Sequence, residues 1–450
     1  MKTTRIPIVS VAALCCLYLL SCSGNGKPVR PDVILPGAIQ TNGKYAPGYL
    51  LFAPQNNNTV YLIDKNGSVY NYWLCSNMGL NAYLLPSGNL LHTESINRSG
   101  GDPGGRIIMS GWNNEHIWSC TINSDTLQQS HDVYPLSDSV VLAMTWELIP
   151  DSEVVKARSI SCKPDSAGMW SPKIVELHQS GDSAVITWYW RMWDHLLCDT
   201  CKPSMHPELM DPNYLGTPNG ELDDWMHPNA LAFNPRLNQI MFSSRNLNEI
   251  YIIDHSTSPT EVKGHKGGNC GKGGDFLYRW GNPAAYGMGA GNPQQLFGQH
   301  SPYWLDTSNV SNTCIMINND GFLGAYDYSA CAAPPSTQIA TTFNTLKTPY
   351  NAATRAYDMA PGRACGPDAP VTTYTAPSQA LWNEFEGNVQ LLPDSNLMVC
   401  AAMQGVLYEM NPKNSQVVWQ FNLNSNYGHI FRCYQYSSDY VEQAAKNGNK

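Results

Sequence analysis

A single unit recurs along this chain: a strand, a turn of the form L-P-x-x-N, a second strand, an I-Y-x-x-D-like strand, a polar turn and a closing strand carrying tryptophan. Such a unit cannot bury both of its faces alone, so its copies must stack on one another. The first copy reads GYLLFAPQNNNTVYLIDKNGSVYNYW (48–73), and the second runs from YLLPSGNLLHTES into GRIIMSGWNNEHIW (83–118). YPLSDSVVLAMTWE and, after an insertion, KIVELHQSGDSAVITWYW make the third. LAFNPRLNQIMFSSRNLNEIYIIDHS, an insertion over 256–274, and DFLYRWG make the fourth. A degenerate fifth is placed around CIMINNDGFLGAYDYS and TRAYDM, and VQLLPDSNLMVCAAMQGVLYEMNPKNSQVVWQF is the cleanest and sixth. Helical periodicity is almost absent between the copies. The prediction is an all-β fold, a six-bladed β-propeller over 46–440 that closes near residue 435; a pair of β-sandwiches is the competing arrangement.

Length alone, at roughly 150 residues per domain, would divide the 450 residues into three domains, and the repeat overrides that division. Charged residues are only 14% and the net charge is −9, so the chain lacks the basic footprint that a nucleic-acid partner needs. Residues 1–21 read as a lipoprotein signal peptide: Lys2 and Arg5 precede an apolar run of 13 residues, Ile8 to Leu20, too short to span a bilayer. Leu19-Leu20-Ser21-Cys22 resembles the bacterial lipobox, which makes Cys22 the expected lipidation site, the alternative being an ordinary signal with an incidental cysteine. Residues 22–45 then form a lipid-anchored tether, 441–450 a polar tail expected to fray, and the protein faces the bacterial periplasm, held to a membrane, the outer one, through its lipid alone.

Eleven cysteines remain after Cys15, Cys16 and Cys22 are set aside, an odd number in a compartment where disulfides persist, so at least one thiol stays free. Cys198-Asp199-Thr200-Cys201 lacks the context of a redox or zinc motif and reads as a local bridge or two buried thiols.

Propellers bind ligands on the axial channel, so polar residues at matching places in successive blades are the candidates. His131-Asp132 opens the third blade, Asp224-Trp225-Met226-His227-Pro228-Asn229 the fourth and Gln299-His300-Ser301 the fifth. Arg245 follows one strand-to-strand return after His227, which can bring the two together. Three histidines and an arginine make a cationic, donor-rich pocket suited to an oxyanion and, with one imidazole neutral, to nucleophilic attack. A sulfate or phosphate ester is the expected substrate.

DWMHPNALAFNPRLNQIMFSSRNLNEIYIIDHS, GGDFLYRWGNPAAYGMGAGNPQQLFGQH and the sixth copy resemble bacterial arylsulfate sulfotransferases that use no activated nucleotide, over roughly residues 46–435. The resemblance implies a six-bladed propeller that moves a sulfuryl group from a phenolic sulfate to a phenol by a ping-pong route through a sulfohistidine. It implies His300 as nucleophile, with His227, Arg245 and His131 in acid–base and anion-binding roles, Asn229 as a substrate-binding residue, no cofactor and no metal. Three departures stand out: Gln299-His300-Ser301 where the family has QHD, Ser130-His131-Asp132 where it has HHD, and Ser137-Asp138-Ser139 where it has N-G. If an aspartate after the nucleophile orients the imidazole, its loss would slow the reaction. The resemblance takes in no counterpart of the longer members' N-terminal β domain, so a dimer built on that domain is not expected to carry over.

Other sulfate chemistry is excluded by motif. The C-x-P-x-R of sulfatases fails at Ser166, Met205 and Ala369, and Gly287-Met288-Gly289-Ala290-Gly291 has no helix pattern after it to cradle a nucleotide phosphate and reads as a loop over the propeller face. The tryptophans of 188–193 are potential stacking partners for a phenol, with a core role as the alternative. A non-catalytic ligand-binding propeller lipoprotein of the same descent is the rival to an enzyme; a purely structural scaffold would not need the four aligned polar residues.

Overall fold

A computed structural model describes residues 34–77, 79–96, 104–158, 168–214, 224–323 and 337–450. Cys22 and the signal peptide lie outside the described residues. The fold is the six-bladed propeller the repeat predicts. Blade 2 uses Ala82–Leu84, Leu90–Ser95, Gly105–Ser110 and His116–Thr121, and blade 3 uses Leu127–Pro135, Val140–Pro150, Gly168–Ser180 and Ser183–Arg191, each inner strand first. Blade 4 runs Pro228–Asn234, Gln239–Ser244, Glu249–Asp254 and Tyr278–Trp280. Blade 5 runs His300–Trp304, Cys314–Asn319, Thr342–Lys347 and Thr372–Thr375.

The ring closes by exchange of its ends. Ile430–Tyr436 pairs antiparallel with Tyr49–Pro54 and becomes the inner strand of blade 1, completed by Thr59–Asp64 and Val69–Leu74. Reciprocally, Gly37–Thr41 adds a fifth, outermost strand to blade 6, beside Gln416–Leu423. Part of the segment expected to be a tether is therefore sheet.

Buried clusters fall between successive blades. Alternation along one strand explains this: Leu50 and Phe52 pack with Met398, Cys400 and Trp419 of blade 6, whereas Leu51 and Ala53 pack with Ala82, Leu84 and Leu90 of blade 2. Both faces of every blade are covered, and so the strands read as nearly continuous apolar runs. The tryptophan of the repeat has a second task. Its indole N–H donates to a loop carbonyl of the next blade: Trp73 to Gly111, Trp118 to Asp138, Trp190 to Gly274, Trp280 to Pro367 and Trp419 to Lys65, at 2.7–2.9 Å.

Blade 5 departs from the expected strands. Thr354-Arg355-Ala356-Tyr357 turns in a separate two-stranded hairpin, Tyr350–Asn351 with Ala356–Tyr357, while Thr342–Lys347 takes the third place in the blade. Phe322–Leu323 leaves the blade for a short ladder with Thr337–Gln338. The polar composition of Thr342–Lys347 hid it, because only Phe343 and Leu346 in that strand present large apolar side chains to the core.

The tail expected to fray is helical. Ser437 caps Ser438–Gly448, its side chain accepting from the Tyr440 N–H, and Val441 and Ala444 are buried against Leu84, Leu90 and Trp112 of blade 2. Two small apolar residues three apart suffice to dock one face, which a reading by average polarity misses. No helix among the described residues is long and apolar enough to cross a membrane. Cys198 and Cys201 are bridged, and Cys75, Cys120, Cys270, Cys314, Cys365, Cys400 and Cys433 are free thiols.

Candidate active site

The inner strands begin with a kink. His131 (φ 52°), His227 (φ 46°), Ser301 (φ 53°) and Glu386 (φ 68°) occupy the left-handed region in blades 3, 4 and 5 and just before blade 6, and the strand pairing shifts register at His131 and Ser301 and two residues after His227, at Asn229. A non-glycine residue there is strained, and such kinks re-aim side chains next to functional sites. The structure also corrects the expected alignment of the histidines: Ser301, and not His300, stands at the position of His131 and His227. His300 comes one residue earlier.

His131 and His227 meet edge to face with ring centroids 4.7 Å apart, and Trp146 flanks both at 6.2 Å. Asp224 holds His227 twice, accepting from its backbone N–H at 3.1 Å and from Nδ1 through a short contact. The strand return brings Arg245 back as expected: its backbone N–H donates to the His227 carbonyl at 3.0 Å. Its guanidinium lies over the Phe322 ring at 4.7 Å.

His300 is buried, and its Nδ1 faces two oxygens, the Gly298 carbonyl at 3.0 Å and Asp320 Oδ2 at 2.6 Å. A carbonyl can only accept, so Nδ1 carries the hydrogen and Nε2 the lone pair. The backbone N–H of Glu386 donates to that Nε2 at 3.3 Å. Burial, with Arg245 and then His227 beside it, holds the His300 imidazole well below the usual histidine range. His131 is depressed in the same way by burial and then by His227, His300, Arg432 and Arg245. Both rings are therefore neutral at pH 7, with the Arg245 and Arg432 guanidiniums beside them.

Asp320 supplies the carboxylate whose loss the Gln299-His300-Ser301 sequence implied. It comes from the end of the adjacent strand, not from the position after the histidine, where the Ser301 hydroxyl donates to the Gly387 carbonyl at 2.9 Å. Gln299 and Asn229 hold the strand in place. The Gln299 amide donates to the Ser244 and Glu249 carbonyls, both at 2.9 Å. Asn229 donates to the Gln299 carbonyl at 2.8 Å and accepts from the Ser243 hydroxyl, so this expected substrate-binding residue fixes the backbone immediately before His300.

Asp224, Asp320, Glu386 and Arg432 were not singled out by sequence reasoning. Asp224 lies inside the quoted DWMHPN block and Asp320 inside the degenerate fifth copy, CIMINNDGFLGAYDYS, but neither Asp320 nor Arg432 has a site motif around it, and both reach the site only through strand pairing. Buried Arg432 donates through Nη1 to Asp132 Oδ2 at 2.9 Å and to the Tyr83 and Tyr434 hydroxyls at 3.0 and 3.1 Å. Asp132 is further held by Tyr83, by Asn81 and by the Leu231 N–H. On the channel side, Arg432 lines a cavity of about 280 Å³ together with Tyr83, Tyr134, Tyr303 and Tyr434. The tryptophans of 188–193 are elsewhere: Trp188 and Trp190 are core between blades 3 and 4, as the alternative reading had it.

Fold and site define a class: a six-bladed propeller whose strands converge on a largely buried, arginine-flanked set of histidines. The chain belongs to the arylsulfotransferase (ASST) family, whose model matches residues 39–330, a span that contains His131, His227, Arg245, His300 and Asp320. No curated protein matches the sequence. Among solved structures the chain is similar to a protein of unknown function from Bacteroides caccae at 12% identity, covering 87% of this chain and 99% of that one with a TM-score of 0.46. It is also similar to the Pseudomonas aeruginosa periplasmic gluconolactonase at 9% identity, with 87% and 99% covered and a TM-score of 0.42. Likenesses this distant carry no functional argument.

Proposed function

We propose that the protein transfers a sulfuryl group from an aryl sulfate to a phenol through a sulfohistidine at His300. The observation that carries this is the His300 tautomer. With Nδ1–H held by Gly298 and Asp320, the Nε2 lone pair of a neutral ring is the nucleophile. Nε2 gives up its contact with the Glu386 N–H and attacks sulfur as the sulfur–aryloxy bond breaks, and the departing phenolate takes a proton from His227 in its imidazolium form, whose ring Asp224 orients. Nδ1–H passes its positive charge toward Asp320 as the N–S bond forms. In the second half, His227 takes the proton of the acceptor phenol, the phenolate oxygen attacks sulfur, and the S–N bond breaks to restore His300. Arg245 and His131 hold the nonbridging oxygens, whose charge grows in the transition state. No metal or cofactor enters the route.

Quenching the protein with donor alone, at alkaline pH, and weighing the peptide that contains Gln299-His300-Ser301 tests the route. An added sulfuryl mass that disappears on adding phenol is expected, together with ping-pong kinetics. Turnover with that peptide unmodified and sequential kinetics would overturn the route; binding of an aryl sulfate with no turnover would favour the ligand-binding alternative. We also propose that Cys22 carries a lipid and places the enzyme on the periplasmic side of a membrane, on the strength of the short apolar run and Leu19-Leu20-Ser21-Cys22.

A further inference from the structure

The insertion over 256–274 in blade 4 is rich in glycine and lysine and takes no part in the channel. It folds back on itself through Gly264, Gly267, Gly273 and Gly274 backbone bonds. At its base, His265 Nδ1 lies 2.8 and 3.1 Å from the two oxygens of Asp275. Asp275 leads into the outer strand of blade 4, and on its other side is His195, in the short 3-10 turn Met192–His195 that ends the outer strand of blade 3.

His195 is fully buried, stacked on Trp190 with planes 4° apart. Its Nε2 lies 3.0 Å from the Val262 carbonyl, and its Nδ1 lies 2.9 Å from Asp275 Oδ1. The carbonyl can only accept, so Nε2 carries the hydrogen, and a neutral ring then aims the Nδ1 lone pair at a carboxylate oxygen. Two lone pairs at that distance repel unless a cation or a proton lies between them. A histidine that donates one ring N–H to a backbone carbonyl while its other nitrogen meets a carboxylate and a second imidazole has the arrangement of a metal ligand with its orienting partner. The distances fit as well. Ligand atoms at bonds of about 2.1 Å stand about 3.0 Å apart at the right angles of an octahedral site and about 3.4 Å apart at tetrahedral angles, and the three groups offer their atoms within 4.8 Å of one another. His265 is 61% exposed, so the open side can admit the ion and water ligands.

We propose that His195, His265 and Asp275 bind one divalent transition-metal ion of the kind that favours imidazole, and that this ion pins the insertion to blade 3. Two imidazoles and one carboxylate select such ions over calcium or magnesium, which take oxygen ligands. The site sits at the outer strands, at the periphery of the ring, and the transfer chemistry does not pass through it.

The test uses the full mature chain in a Cys75→Ser background, because Cys75, His92 and Glu94 form a second group with ligand spacing. After treatment with a chelator and its removal, Zn²⁺ is titrated in competition with a chromophoric chelator under reducing conditions. One equivalent is expected, weakened at least about tenfold by His265→Ala, a change at an exposed ring that leaves the packing intact. Co²⁺ should show visible ligand-field absorption without the near-ultraviolet band of a thiolate ligand. Zn²⁺ should also slow tryptic cleavage after Lys263, Lys266 and Lys272 in the parent and not in His265→Ala. Absence of a bound equivalent, as a plain imidazolium–carboxylate pair would give, overturns the proposal, as does affinity or protection unchanged by His265→Ala or a thiolate band. None of these readouts depends on sulfuryl transfer.

Discussion

The Nδ1 of His300 is held by a carbonyl and a carboxylate at once, and that leaves Nε2 alone to react. Asp320→Asn can turn an amide N–H toward Nδ1, shifting the hydrogen to Nε2 and removing the lone pair from the reacting side. Formation of the sulfuryl-enzyme should slow on the order of 100-fold, less than in a triad without a second holder, because the Gly298 carbonyl still favours the productive tautomer. Stopped-flow release of a chromogenic phenol measures it. Arg245→Lys replaces a planar fork, able to hold two sulfuryl oxygens, by a point charge, and should lower kcat on the order of 100-fold. Unchanged kinetics would place Arg245 outside the chemistry. Because burial, Arg245 and His227 keep His300 neutral, donor turnover should stay level from pH 7.5 down to about 6.5 and fall only below that, which a pH–rate profile of the first half-reaction decides.

At the scale of elements, the repeated tryptophan joins blades as well as filling them. Trp118→Phe keeps most of the ring's burial but removes the donor to the Asp138 carbonyl, and should cost about 1–2 kcal/mol by denaturant unfolding. The strands of blade 5 contain no such tryptophan donor to blade 6, although blade 5 receives one from Trp280 of blade 4 at Pro367. The C-terminal helix contributes through Val441. Val441→Ala removes two buried methyl groups from the cluster under blades 1 and 2 and should cost about 2 kcal/mol, read as a lowered Tm.

For the whole molecule, closure depends on both chain ends, since Gly37–Thr41 completes blade 6 and Ile430–Tyr436 completes blade 1. Stability should also depend on acid. His92, His131 and His300 are all held below the ordinary value, His92 at about 4, with burial the largest cause for each. Between those lowered values and about 6.5 the unfolded chain binds protons that the folded chain refuses, so stability rises with pH through that window and is lost as pH falls below about 6.5. Thermal unfolding at pH 7.5 and pH 5 should show the drop, and His92→Asn should reduce it. Cys22→Ser should move the protein from the membrane to the soluble fraction; a mature N-terminus elsewhere, without fatty acid, would rule out the anchor.

Periodicity in the sequence determined the architecture, because a unit with two apolar faces and a period-2 alternation has no stable form except stacked against copies of itself. The copies also marked where the channel residues would stand, so His131, His227, Arg245 and His300 were legible as a group. Three things were decided only in three dimensions. The left-handed kinks set Ser301 instead of His300 at the position of His131 and His227, since a one-residue bulge leaves no trace in composition. Asp320, Glu386 and Arg432 reach the site by strand pairing and ring closure across as many as 300 residues, as from Asp132 to Arg432, and local spacing does not encode such contacts. The orientation of each imidazole was decided last, because a tautomer depends on which carbonyl or carboxylate faces each nitrogen, and only the folded backbone brings those oxygens into place.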